Sequence, residues 1–292
     1  MNTQSRTSWA AGDPGPQRPL VDVDWLAEHL GEPDLVVLDA SIPPNDPGGQ
    51  RIVGGRRFDL EGRFSDPAAA LPHTMPTPEV FQAEARRLGV RAGGTIVVYD
   101  IHDVYSAARA WWMFRAMGHD RVWLLDGGLE AWEEAGHAVE PIAADEATRD
   151  DHGDFVARPL AGAIVDADEV ARALAGGEVA VVDARSAARF AGSAPEPRAG
   201  LRSGHMPGAG NLPYLAVQSD GHLAAPDQLT PLVDAATGGR GRVILTCGSG
   251  VTACVAALAA VLAGRAPDTL SVYDGSWTEW GAPDSGRPVV TD

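Results

Sequence analysis

Lysine is absent from this sequence: all 23 basic side chains are arginine. Schiff-base catalysis and a phosphate loop closed by a lysine ammonium are therefore excluded. Cysteine is nearly absent too. The two thiols, Cys247 and Cys254, cannot build a disulfide framework and read as reduced thiols. No apolar run is long enough to span a bilayer; the longest, around Ala253 to Gly264, suits a buried helix. The first residues are polar and rich in Gly and Pro, without the apolar stretch of an export signal. Residues 1–19 are accordingly expected to be a disordered extension, and the expected location is cytoplasmic. Positive charge is scarce, since 40 acidic side chains give a formal net charge of −17. That field argues against nucleic acid and against anionic membrane surfaces as partners. A small anionic substrate would need a local cluster of arginines.

What is present is a duplication. A chain of 292 residues, 45% hydrophobic, is long for one core and divides naturally into two domains. Leu35–Ser41 resembles Ala180–Ser186, Thr95–Asp100 resembles Arg242–Cys247, and Leu125–Gly128 with Trp132 resembles Tyr273–Ser276 with Trp280. Asp39 and Asp183 lie 144 positions apart, Asp100 and Cys247 147, and Asp126 and Asp274 148. Matches in the same order at nearly constant offset indicate an internal repeat. Each half alternates short apolar runs with helical patterns, which predicts an α/β fold: a mostly parallel sheet flanked by helices in each domain. Strands are expected at 95–99, near 122–125, at 179–183, 242–246 and 269–273. Helices are expected after Thr77-Pro78-Glu79, over 105–117, near Leu129, after Pro226 and over 251–263. The boundaries predicted are 20–137 for the first domain, 138–157 for an acidic linker and 158–292 for the second domain.

The repeat carries most information where it breaks. The central strand ends in Asp100 in one half and in Cys247 in the other. Cys247 is followed by Gly248-Ser249-Gly250-Val251-Thr252 and then an apolar helix. A thiol is thus expected at the carboxyl end of a parallel strand, where open α/β sheets bind ligands. Backbone N–H groups at a helix N-terminus cradle an anion, and such a field favours the nucleophilic thiolate. Cys254, two helical turns further on, reads as a core residue.

The loop Cys247–Thr252 resembles the active-site loop of 3-mercaptopyruvate sulfurtransferases, in the tandem-domain rhodanese family. The resemblance extends to Asp183-Ala184-Arg185-Ser186 with Arg189-Phe190, to Pro195-Glu196-Pro197-Arg198, to Gly204–Ala209 and Asn211-Leu212-Pro213, to Leu71-Pro72-His73 with Pro76, and to Tyr105–Arg109 with Trp111-Trp112. It covers roughly residues 20 to 292. It implies a catalytic second domain and a first domain that walls the cleft without catalysing, in keeping with Asp100, since a carboxylate cannot accept a sulfane sulfur. It implies a persulfide on Cys247, substrate binding by Arg189 and Arg198 and by the loop residues Gly248, Gly250, Val251 and Thr252, and a relay of Ser249 and His73 with an acid. That acid aligns with Glu61, with Asp59 and Asp66 as alternatives.

No metal or organic cofactor is expected. His205 has no Cys or acid at ligand spacing and reads as structural. Arg185 reads as pairing with local acids, and Trp111-Trp112 as helix core. The function implied is transfer of sulfane sulfur from 3-mercaptopyruvate to a thiol, cyanide or thioredoxin-like acceptor. Thiosulfate as donor is the alternative, disfavoured because the loop supplies no fixed cation. A phosphatase on this fold needs Arg six residues after the cysteine, where Ala253 stands. A non-enzymatic sulfur carrier is the remaining class.

Overall fold

The structure is a computed structural model that describes residues 14–42, 49–101, 104–142 and 152–292. The first half contains β1 (Leu20–Val21), α1 (Val23–His29), β2 (Leu35–Asp39), β3 (Gln50–Ile52), β4 (Arg56–Arg57), α2 (Pro78–Arg87), β5 (Thr95–Tyr99), α3 (Ala107–Ala116), β6 (Val122–Leu125), α4 (Gly128–Glu134) and β7 (Val139–Pro141). The second half contains β8 (Ile164–Val165), α5 (Ala167–Gly176), β9 (Val179–Asp183), α6 (Ala187–Phe190), β10 (Gly210–Asn211), β11 (Gln218–Ser219), β12 (His222–Leu223), α7 (Pro226–Thr237), β13 (Arg242–Thr246), α8 (Ala253–Leu262), β14 (Leu270–Tyr273) and α9 (Ser276–Trp280).

Each half folds around a five-stranded sheet, in the orders β1-β6-β5-β2-β4 and β8-β14-β13-β9-β10. The two orders are the same once repeat-equivalent strands are matched. All neighbouring pairs in both sheets are parallel. The central strands are continuous β-branched and leucine runs, buried along most of their length, because helices cover both faces. At the start of α2, the Thr77 side chain accepts from the Val80 N–H, Pro78 occupies the first turn, and Glu79 faces the positive end of the helix dipole.

Two helices set the relation between the halves. Every residue of α8 is buried, and every residue of α3 except Arg115. A helix that is apolar all round must be covered all round. Here α3 and α8 pack on each other across the domain boundary, and one apolar cluster takes in Trp111, Phe114, Val255, Leu258 and Val261 from both. Trp111 and Trp112 are core residues.

The segments read as extension and linker are partly built into the fold. Residues 1–13 lie outside the described residues. Gly15 and Arg18 exchange backbone bonds, and Pro19 accepts from the Leu124 N–H, extending the edge of the first sheet. Of the expected linker, residues 143–151 lie outside the described residues. Its ends dock on the first domain: β7 pairs antiparallel with β3, and Phe155 is buried beside Phe81 and Phe114, with its N–H donating to Val90 O. An alternating run as short as Val139–Pro141 carries no period to read, which is why its pairing escaped the sequence.

Candidate active site

Cys247 stands at the carboxyl end of β13, the middle strand of the second sheet, and is buried. Its N–H donates to Ser276 Oγ at 3.2 Å, and its carbonyl accepts from the Trp277 N–H at 3.0 Å, which pins the turn to the start of α9. The loop then runs into the N-terminus of α8. Among the described residues, the N–H groups of Gly248, Ser249, Gly250, Val251 and Thr252 donate to no protein acceptor. Unpaired backbone donors at a helix N-terminus favour an anion. Gly250 has φ +79°, a left-handed conformation that favours glycine, and a Cβ there would stand 3.0 Å from Asp274 O and 3.3 Å from Arg109 Nη1.

The first domain shows the same construction with its anion built in. Asp100 occupies the place of Cys247, and its Oδ2 accepts from the N–H groups of Tyr105 (3.0 Å), Ser106 (2.8 Å) and Ala107 (2.9 Å) at the head of α3. Burial nevertheless pushes its carboxyl up to about 6, against the pull of those hydrogen bonds.

His73 and Glu61 reach the cysteine loop from the first domain. His73 Nδ1 lies 3.1 Å from Ser249 Oγ, and Nε2 lies 3.8 Å from Glu61 Oε1. Of the three acids considered, Glu61 is the one that faces the imidazole. Asp59 accepts from the N–H groups of Gly62 and Arg63 in its own turn, and Asp66 from the Ala68 N–H. Burial lowers the His73 pKa, with Arg109 and Arg198 adding to the effect, while Glu61 and Ser249 oppose it. His73 sits at φ +59°, uncommon for a residue with a Cβ.

Arg189 lies beside the cysteine: its Nη2 would be 3.2 Å from a Cβ at Gly248. Glu196 holds it, accepting from Arg189 Nε at 3.2 Å and Nη2 at 2.6 Å. Glu196 also accepts from Arg185 Nη1 at 2.7 Å, and Arg185 is otherwise spent on Asp183, on the Gly204 carbonyl and on the face of Trp277, 3.9 Å away. Arg185 is thus the buried member of the cluster, pairing with local acids. Arg198 is exposed, close enough to add to the lowering of the His73 pKa and to oppose the rise at Tyr105, and makes no side-chain hydrogen bond or ion pair among the described residues. His205 stacks on Phe190 at 3.8 Å and pairs its backbone with Val290.

Three site residues were not singled out from the sequence. Glu196 orients Arg189. Tyr105, edge-on to Tyr214, has its hydroxyl raised by burial and then by the charge of Cys247. Asp274 accepts from Arg109 and from the Met75 N–H. Asp274 had a signal: it is the repeat partner of Asp126, which likewise bridges the domains by accepting from the Leu223 N–H at 3.0 Å.

The rhodanese-like domain model matches residues 22–135 and again 166–283. The chain is 38% identical over 278 residues to the 3-mercaptopyruvate sulfurtransferase of Escherichia coli strain K12, covering 90% of this chain and 94% of that one. It is 36% identical over 304 residues to the mitochondrial thiosulfate/3-mercaptopyruvate sulfurtransferase 1 of Arabidopsis thaliana, covering 95% and 79%. The crystal structure of SseA from Escherichia coli, a 3-mercaptopyruvate sulfotransferase by its description, superposes with a TM-score of 0.75 at 36% identity, over 89% of this chain and 98% of that one.

Proposed function

Because the chain belongs to the rhodanese-like family, with the domain present twice, we propose that it is a sulfurtransferase that carries sulfane sulfur as a persulfide on Cys247. The observation that carries this reading is the placement of one thiol, at a strand end, inside a set of unpaired backbone donors that the other domain fills with Asp100.

The proposed donor is 3-mercaptopyruvate. The Cys247 thiolate attacks the donor sulfur; a sulfur–sulfur bond forms, the carbon–sulfur bond breaks, and pyruvate leaves as its enolate. The proton from the donor thiol ends on the enolate carbon, and the Ser249–His73 pair is placed to pass it. Glu61 faces the far nitrogen of the imidazole and steadies its orientation. Arg189, steered by Glu196, and Arg198 supply the guanidinium forks for the carboxylate and keto oxygen. The N–H groups of Gly248 through Thr252 hold the persulfide anion. An acceptor thiolate, cyanide or a thioredoxin-like dithiol then attacks the outer sulfur and restores the Cys247 thiolate.

Thiosulfate is the alternative donor, and the neutral Gly248-Ser249-Gly250 turn offers its dianion no cation within the loop. The expected preference for mercaptopyruvate is at least about tenfold in kcat/KM, or roughly 1.4 kcal/mol in the transition state. Parallel kinetics with one acceptor test it, and equal or reversed efficiencies would exclude it. Intact-mass spectrometry after donor treatment should show one added sulfur on the wild type and on Cys254→Ser, and none on Cys247→Ser. Burial pushes the Cys254 thiol up to about 12, so it is a poor nucleophile. A cytoplasmic location belongs to the same proposal and is tested by cell fractionation.

A further inference from the structure

Arg109 belongs to α3, inside the apolar interface between the domains, and its side chain is fully buried. Its guanidinium reaches three groups of the site. Nη2 donates to Asp274 Oδ1 at 2.5 Å and to the His73 carbonyl at 2.8 Å, and Nη1 donates to the Gly250 carbonyl at 3.4 Å. The other carboxylate oxygen of Asp274 accepts from the Met75 N–H at 2.8 Å. One ion pair therefore grips the chain just after His73 at two points and also holds the turn that follows Cys247.

Stability by itself is a weak reason for such a pair, because buried ion pairs are often replaceable by apolar residues at no loss. Two local features ask for it instead. His73 stays at φ +59° only where its surroundings over-determine it, and the bonds to its carbonyl and to Met75 do that. Gly250 brings its backbone so close to Arg109 and Asp274 that the loop and the pair fit as one piece.

We propose that the Arg109–Asp274 pair is the positioning device that holds the His73 imidazole against Ser249, so that sulfur transfer at Cys247 depends on an ion pair crossing the domain interface. The inference rests on the sulfur-transfer reading. Neither residue is placed to touch substrate; both act on proton handling through His73. The longer 3.4 Å bond from Arg109 to the Gly250 carbonyl is a separate tie to the cysteine loop, and the His73→Ala background isolates its share. Asp126 supplies the control. It makes the repeat-related bridge, to Leu223 and His222, with no bond to the His73 segment.

The test is a double-mutant cycle on the full chain with mercaptopyruvate. Arg109→Lys and Asp274→Asn are each made in the wild type and in His73→Ala, with Asp126→Asn alongside. Each variant should lower kcat by about tenfold or more with KM changed less than about threefold, and should cost less than about threefold once His73 is gone. Asp126→Asn should leave kcat near the wild-type value. A second readout is the acid limb of kcat/KM. The groups facing His73 are Arg109, Arg198 and Glu61, with Ser249 as its neutral partner. Asp274→Asn leaves the Arg109 charge uncompensated, so the limb should move to lower pH. Should Arg109→Lys fail to fold, the paired replacement Arg109→Met with Asp274→Leu, which leaves no unpaired buried charge, must show the same His73-dependent loss. Equal losses with and without His73, or an equal loss from Asp126→Asn, would overturn the positioning role while leaving sulfur transfer intact. A wild type that forms no persulfide and turns over no mercaptopyruvate would remove both.

Discussion

At the scale of single residues, the proposed mechanism gives substrate binding to Arg189 and Arg198 and proton handling to Ser249 and His73. Arg189 is half-committed to Glu196, whereas Arg198 is exposed with no ion pair among the described residues. Loss of one charge-assisted contact costs about 1.5–3 kcal/mol. Arg189→Ala or Arg198→Ala should therefore raise the KM for mercaptopyruvate by roughly ten- to a hundredfold, while alkylation of Cys247 by a neutral reagent stays near the wild-type rate. A near-normal KM in both would place the substrate anion elsewhere. His73 titrates below its ordinary 6.5, so it is neutral and able to accept a proton at pH 7. Acid removes that form. If His73 sets the acid limb of kcat/KM, the limb lies below pH 6.5; Glu61→Gln removes a charge that raises the pKa and should move the limb lower still. A limb that stays where it is, or moves upward, would mean that Glu61 does not raise the His73 pKa.

At the scale of elements, the two strand–turn–helix units, β5 to α3 and β13 to α8, use the same physics for opposite ends. In the first, a carboxylate accepts the N–H groups that head the helix; in the second, those groups have no protein acceptor among the described residues, and the proposed occupant is a sulfur anion. The first unit carries a cost that pH reveals. Asp100 titrates at about 6 in the fold against 3.8 as the reference value. Its protonated form is favoured in the folded state, so its contribution is fully present below about pH 4 and is lost as pH rises through about 6. At roughly 1.4 kcal/mol per pKa unit the loss is about 3 kcal/mol. Asp100→Asn cannot lose a proton, so its stability relative to the wild type should climb between pH 4 and 6. Urea unfolding at closely spaced pH values measures this; a flat difference would mean that the three N–H bonds cancel the burial.

At the scale of the whole molecule, neither domain is complete. The proposed nucleophile and both candidate substrate arginines come from the second domain; His73, Glu61 and Tyr105 come from the first. The wholly apolar α8 is covered by α3 and by its own sheet and helices. Residues 158–292 expressed alone would bare that helix, and contiguous apolar surface of this kind drives association. The isolated half should aggregate or bind a hydrophobic dye. It should also lose catalytic turnover with mercaptopyruvate even where it stays soluble. A soluble, fully active second domain would show that the first contributes nothing to the chemistry.

Much of this was written in the chain. The period and composition of the apolar runs mark the central strands and α2, α3, α7 and α8, because buried parallel strands and buried helices leave continuous apolar segments at distinct lengths. The duplication, read at Asp39/Asp183, Asp100/Cys247 and Asp126/Asp274, gave the two-sheet architecture and singled out Cys247. Local spacing could not give contacts made between loops, whether their partners lie 7 positions apart, as Arg189 and Glu196 do, or 165, as Arg109 and Asp274 do. That Arg109 forms a buried cross-domain ion pair is decided by the packing of α3 against the second domain. That Glu61 rather than Asp59 or Asp66 faces His73, that Glu196 steers Arg189, and that the ends of the linker dock on the first domain are decided by how the loops fold within each domain. Hydrogen bonds and ion pairs between domains have no periodicity along the chain; they exist only once burial has brought their partners together and made leaving them unpaired costly.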